Sequence, residues 1–191
     1  MGKSGDSRFL KKILTDAEID LVRDTENPDQ ELWSLWACKE TAYKVALKKS
    51  PDARFLPRRW QTVFHGSASE PSDGKVILVE TSIVFIRLFA DAEYIHCVGS
   101  DQQEALDTFI WKVEPLPDVK TDPSLFARQC LARSLAKHLS LNIQQIKIKR
   151  KEKNRDLSPP LVYVDDNPTD LDVSLSHDGR FVAYAYHLSY P

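Results

Sequence analysis

From Asp29 to Lys49 the chain runs without a glycine or a proline, and Leu32, Leu35, Trp36, Tyr43, Ala46 and Leu47 recur at helical spacing. A stretch of that length and period commits the chain to one long helix with an apolar stripe. At about 100° per residue, Lys39 falls in the middle of the stripe, while Glu40 and Lys44 share one edge. Glu40 and Lys44 are four apart, so they are neighbours on one face. Charges enter a core face when they are paired or bind something. The plain alternative is an intrahelical ion pair beside a snorkelling lysine.

A second segment runs from Leu171 to Tyr186. Alternating Leu171, Val173 and Leu175 predict a strand, and Phe181 to Tyr186 predict another. Between them Ser174, Ser176, His177, Asp178 and Gly179 read as a polar turn. Asp-Gly serves the backbone of a hairpin tip. Ser-x-Ser-His before it is not needed for the turn, and hydroxyls beside an imidazole suit an anion, because they offer donors with little bulk. A solvated hairpin with incidental polar residues explains the segment equally well when it is taken alone.

Taken together, Trp36-x-x-Lys39-Glu40-x-x-x-Lys44 and Ser174-x-Ser176-His177-Asp178-Gly179-Arg180-Phe181-Val182-Ala183 resemble the two signature motifs of the 4′-phosphopantetheinyl transferase superfamily. Their order, acid-bearing helix first and Ser-His hairpin second, looks like the holo-[acyl-carrier-protein] synthase type. The longer, internally duplicated type has the reverse order. Weaker resemblance runs through Arg8-Phe9-Leu10 and Leu14-Thr15-x-x-Glu18, and it thins out between about Trp60 and Pro117.

The resemblance implies an α+β fold, with an antiparallel sheet packed on a long helix. It also implies transfer of the 4′-phosphopantetheine arm of coenzyme A to a serine of an acyl or peptidyl carrier protein, releasing adenosine 3′,5′-bisphosphate. Such a reaction must neutralise a pyrophosphate and align a hydroxyl, a task suited to Mg²⁺. Glu40 is then the metal ligand and the group that takes the serine proton, and Lys44 faces the phosphates. Ser174, Ser176 and His177 hold coenzyme A from the hairpin. Lys39 contacts phosphate or only supports Glu40. The implied setting is cytoplasmic fatty acid and lipid metabolism. Because each motif occurs once, the resemblance further implies a homo-oligomer with shared sites, a trimer by the pattern of the small synthases.

One departure concerns the metal. Family members carry a Gly-x-Asp strand before the Arg-Phe-Leu region, and its Asp is a second ligand. Here Met1-Gly2-Lys3-Ser4-Gly5-Asp6-Ser7-Arg8-Phe9 leaves no room for that strand, and Asp6 stands too close to Arg8 to be that residue. The expectation is a reduced metal site with low activity, restored if a longer form supplies the motif. The alternative is a catalytically weakened paralogue that binds coenzyme A or a carrier protein without transfer.

At 191 residues and 21.8 kDa the chain fits one domain, read as 1–191 with a β-rich insertion over about 60–117. A net charge of −2 argues against general nucleic-acid or membrane binding, and no apolar run approaches the roughly 20 residues of a membrane span. Cys38, Cys97 and Cys130 are odd in number and widely spaced, which speaks for a reducing compartment and against a disulfide framework. The five histidines include no zinc-like cluster.

The basic run Lys147, Lys149, Arg150, Lys151, Lys153 and Arg155 is a candidate dock for an acidic carrier protein, as are Arg8, Lys11 and Lys12. It lacks the interleaved aromatics of a nucleic-acid site. A solvated sheet edge is its plain reading.

Further elements follow from caps and alternation. Thr15-x-x-Glu18 is a capping box for a helix over 16–24, and Asn27-Pro28 starts the long helix. A polar loop is expected over 67–74 and another helix over 124–139. Strands are expected over 62–64, 75–80, 83–89, 93–98, 108–113, 145–149, 161–164, 171–175 and 180–186.

Overall fold

The structure is a computed structural model that describes residues 2–65, 71–79, 82–150, 152–153 and 156–188. It divides into two compact units, Met1–Asp107 and Thr108–Pro191. Both combine helix with antiparallel sheet, as the α+β expectation requires.

The first unit opens with three helices. α1 (Ser7–Ile13) is capped by Asp6, whose carboxylate accepts from the Arg8 and Phe9 amides at 3.1 and 3.0 Å. In α2 (Asp16–Asp24) the Thr15–Glu18 capping box is formed in both directions. α3 (Pro28–Lys49) begins where Asn27 accepts from the Gln30 amide, with Pro28 in the first turn, where its missing N–H costs nothing.

A four-stranded antiparallel meander follows: β1 (Gln61–Phe64), β2 (Ser72–Ile77), β3 (Ile83–Ala90) and β4 (Ile95–Ser100). α3 divides its apolar stripe between two partners. Leu32 and Leu35 pack with Leu10, Ile13, Leu14, Ile19 and Val22 of the α1–α2 layer. Cys38 and Ala42 pack on Trp60, Val76, Val84, Ile86 and Leu88 of the sheet. The fit on β4 is close, because a Cβ on Gly99 would lie 2.8 Å from Thr41 Cγ2 and 3.0 Å from Phe85 O. Thr41 Oγ1 donates to Cys97 O at 3.1 Å along the same seam.

The second unit packs α4 (Pro123–Leu139) over two small sheets. One has the order β11 (Asp172–Asp178), β12 (Phe181–His187), β5 (Phe109–Pro115). The other has β10 (Asn167–Pro168), β9 (Leu161–Val164), β6 (Ile146–Lys149), and β7 (Glu152–Lys153) pairs with β8 (Asp156–Leu157). Leu131 and Leu135 of α4 share a core with Ile146, Val162, Val173, Leu175, Val182, Tyr184 and Tyr186.

The single domain with a β-rich insertion over about 60–117 stays an expectation beside these two compact units. β1–β4 is the sheet that buries the second half of α3. The strand expected over 108–113 is β5, paired with β12 in the second unit. β4 starts two residues later than expected, because Asp91 and Tyr94 close a turn with a 2.8 Å bond. Of the polar loop expected over 67–74, residues 66–70 lie outside those described, and β2 already begins at Ser72. Lys151 and Arg155 of the basic run also lie outside the described residues.

Candidate functional site

Lys39 is fully buried where the α1–α2 layer meets the sheet. Its ammonium donates to Ile13 O at 3.1 Å, Glu18 Oε2 at 2.5 Å and Pro57 O at 2.8 Å. Glu18 is buried too, accepting from the Thr15 amide at 2.8 Å and from the Thr62 amide at 3.0 Å. One carboxylate thus caps α2, neutralises α3 and receives β1. Burial pulls Lys39 below its ordinary pKa, and the Glu18 charge opposes that pull. An ammonium has three donors, and all three are taken. Lys39, expected to contact phosphate or only to support Glu40, thus lies in the core with its three donors taken.

Glu40, the next residue, is exposed, and Lys44 is half-buried one turn along the same face. His96 of β4 is buried on the sheet face opposite Cys97 and Gly99. Burial, and then the charge of Lys44, hold its imidazole down to about 4, so it is neutral at physiological pH. Among the described residues no three of His, Cys, Asp and Glu gather where a metal ion could be held.

In the second unit Ser176 and His177 lie within β11, not in the turn. The turn itself is Gly179-Arg180, with Gly179 at φ +52°, a conformation that favours glycine. Strand alternation then sorts the candidates. His177 opposes Val182 on the face that packs on α4, together with Val173 and Leu175, whereas Ser174 and Ser176 oppose Ala185 and Ala183 on the other face. The three candidates do not form one flat surface. A ligand touching both Ser176 and His177 must approach the end of the strand.

Arg150, offered by the sequence as part of a basic dock for an acidic carrier protein, feels the charge of Arg128 on α4, which the sequence did not single out. Ser134 Oγ bonds Tyr186 OH at 2.9 Å, and Cys130 feels the charge of Glu114, which opposes Val182. α4 therefore runs so that its first turns lie at the His177 end of the sheet. Arg128 is there, donating to Ser124 Oγ at 3.1 Å. Arg150 follows β6, and burial and the charge of Arg128 both push its guanidinium below the ordinary value. Among the described residues, the buried Arg150 Nε has no hydrogen-bond partner. Two neighbouring guanidiniums, one with an idle buried donor, suit an anion. Nothing in the local spacing of Arg128 and Arg150 announces that they meet.

An α+β protein with a buried lysine, an adjoining exposed glutamate and a separate Ser-His strand end is the class so defined. Residues 2–72, spanning α1 to α3 and the first strand, match the family model of the 4′-phosphopantetheinyl transferase superfamily. No curated protein and no solved structure matches the chain.

Proposed function

We propose that this protein transfers the 4′-phosphopantetheine arm of coenzyme A to a serine of an acyl or peptidyl carrier protein, releasing adenosine 3′,5′-bisphosphate. The observation that carries the reading is the contrast between adjacent residues inside the matched region. Lys39 is locked into the core, and this turns Glu40 and Lys44 outward on a rigid face.

Glu40 would hold Mg²⁺ through its carboxylate, and bound there the cation would neutralise pyrophosphate charge as the phosphorus is attacked. Glu40 also accepts the proton of the attacking serine, directly or through a water. Lys44 presents a compact positive charge to a phosphate. At the other unit's strand end, His177, Ser176 and Ser174 donate to the nucleotide phosphates. Arg150 and Arg128 add charge-assisted donors at that end.

The test is a mass measurement on an apo carrier protein incubated with the chain, coenzyme A and Mg²⁺. A gain equal to one phosphopantetheine arm, lost in Glu40→Gln, supports the reading. Coenzyme A retained without any gain in mass overturns it in favour of a binding protein. The oligomer is part of the proposal as a homo-trimer, and sedimentation showing a fully active monomer would remove it.

A further inference from the structure

Residues 50–60 run from the end of α3 to β1 as a strap along the flank of the Glu40 face. Phe55 is its anchor. The ring packs on Trp36 at 5.5 Å, Tyr43 at 5.1 Å and Trp60 at 5.4 Å between centroids. Trp36 and Tyr43 stand one turn before and one turn after Glu40, on the neighbouring stripe of the helix. Pro57 O accepts from the buried Lys39 ammonium at 2.8 Å, and the Trp60 amide closes a turn on the same carbonyl at 3.2 Å. A second turn, from the Ala53 amide to Ser50 O at 2.9 Å, ties the other end. The strap is thus a fixed wall beside Glu40.

What that wall shows to solvent is one apolar tip among three cations. Arg54, Leu56, Arg58 and Arg59 are exposed, while Phe55 between them is turned into the rings. Among the described residues none of the three guanidiniums has a hydrogen-bond or ion-pair partner. By contrast Lys147, in the basic run of the other unit, is closed on Asp166 at 2.7 Å, and Lys149 lies over the Tyr163 ring. Unpaired guanidiniums take carboxylates in two-pronged bonds. An apolar contact ringed by arginines is the composition of a protein-binding hot spot.

We propose that Arg54, Leu56, Arg58 and Arg59 form the surface on which the carrier protein docks, its carboxylates on the arginines and one apolar side chain on Leu56. The inference rests on the transfer reading above and gives it a partner surface. A partner seated on this wall lies against the Glu40 face, where its serine must arrive. Because Phe55 and Pro57 already hold the strap in place, docking orders little of this chain. Attraction between the arginines and an acidic partner speeds the encounter and weakens as salt rises. A membrane is the poorer fit, since one leucine at the tip offers little apolar area to insert and the chain carries a net charge of −2.

The experiment titrates an apo acyl carrier protein into the full chain without coenzyme A, and measures transfer kinetics with it. In a variant carrying Arg54→Glu, Arg58→Glu and Arg59→Glu, binding should weaken by about tenfold or more, the scale of a lost charge pair across an interface. KM for the carrier protein should rise by the same factor, with kcat and KM for coenzyme A unchanged. Leu56→Ser should weaken binding by about threefold through lost apolar contact. Arg58→Gln, which adds no charge, should act in the same direction as the triple variant. Lys120→Glu, an exposed charge in the other unit, should leave binding unchanged. All of these positions are exposed, so Tm should hold in every variant. Three outcomes overturn the proposal: carrier affinity unaltered in the triple variant, an equal loss in Lys120→Glu, or vesicles of anionic phospholipid bound through the strap while carrier affinity stays. A chain that binds the carrier protein through the strap but transfers no arm overturns the transfer reading alone.

Discussion

Lys39 and Glu18 lie 21 residues apart in sequence and close a buried ion pair at 2.5 Å, immediately beside the exposed carboxylate of Glu40. The pair joins three helices' worth of backbone, because Lys39 also binds carbonyls at Ile13 and Pro57, and Glu18 also binds amides at Thr15 and Thr62. Such a pair costs desolvation and adds little net stability, but breaking it leaves a bare charge in the core.

Glu18→Gln should therefore destabilise the protein by about 3–5 kcal/mol, the range for an uncompensated buried charge. Adding Lys39→Met should recover a large part of that loss, since the remaining amide and thioether carry no charge. Urea unfolding of the two variants decides it. A single-variant cost under about 1 kcal/mol would mean that the pair does not hold the helices together.

Glu40→Gln keeps shape and exposure and removes charge. Stability should change by no more than about 1 kcal/mol. Phosphopantetheine transfer should fall by about a hundredfold or more, the scale of a lost proton acceptor. Thermal melting beside the carrier-protein mass assay separates the two effects.

Burial of neutral His96 makes stability depend on pH. The folded pKa of about 4 lies below the ordinary value of 6.5, so between them the unfolded chain binds a proton that the folded chain refuses. Stability from this group is present above pH 6.5 and is lost as pH falls towards 4, by about 3 kcal/mol in all. In His96→Gln the slope of unfolding free energy over that window should flatten. A slope unchanged by the substitution would place the sensitivity elsewhere.

Arg150→Gln and His177→Ala act at one end of the second unit and should each weaken coenzyme A binding by about tenfold, the scale of one charge-assisted hydrogen bond. Isothermal titration at two salt concentrations reads both. Arg150→Gln should also reduce the salt dependence, and unchanged affinity in both variants would remove the strand end from the proposed site.

Gly99→Ala should cost about 1–3 kcal/mol, because the added Cβ meets Thr41 Cγ2 at 2.8 Å and the Phe85 carbonyl at 3.0 Å. Thr41→Ser in the same chain should relieve part of it, and guanidinium melts compare the variants.

Much of the secondary structure was legible because its causes are local. The Thr15–Glu18 box, the Asn27-Pro28 start of α3 and the alternation of β12 each act within a few residues, and the observed elements lie within a few residues of the expected ones. α1 was missed: its seven residues give too short a period, and its start depends on Asp6, which was considered only as a metal ligand. The placement of Ser176 and His177 on opposite faces was implicit in strand alternation, but it was hidden by reading both into a turn.

By itself the sequence determined which segments become helix or strand and which charges fall on an apolar stripe, since spacing along one element fixes the direction of each side chain. Only the tertiary structure decided what those charges meet. Nothing near Glu18 marks it as the partner of Lys39, and nothing near Arg128 marks Arg150. The physical reason is that desolvation and pairing depend on which remote segment closes over a residue, and that closure belongs to the packed core and not to any local run of chain.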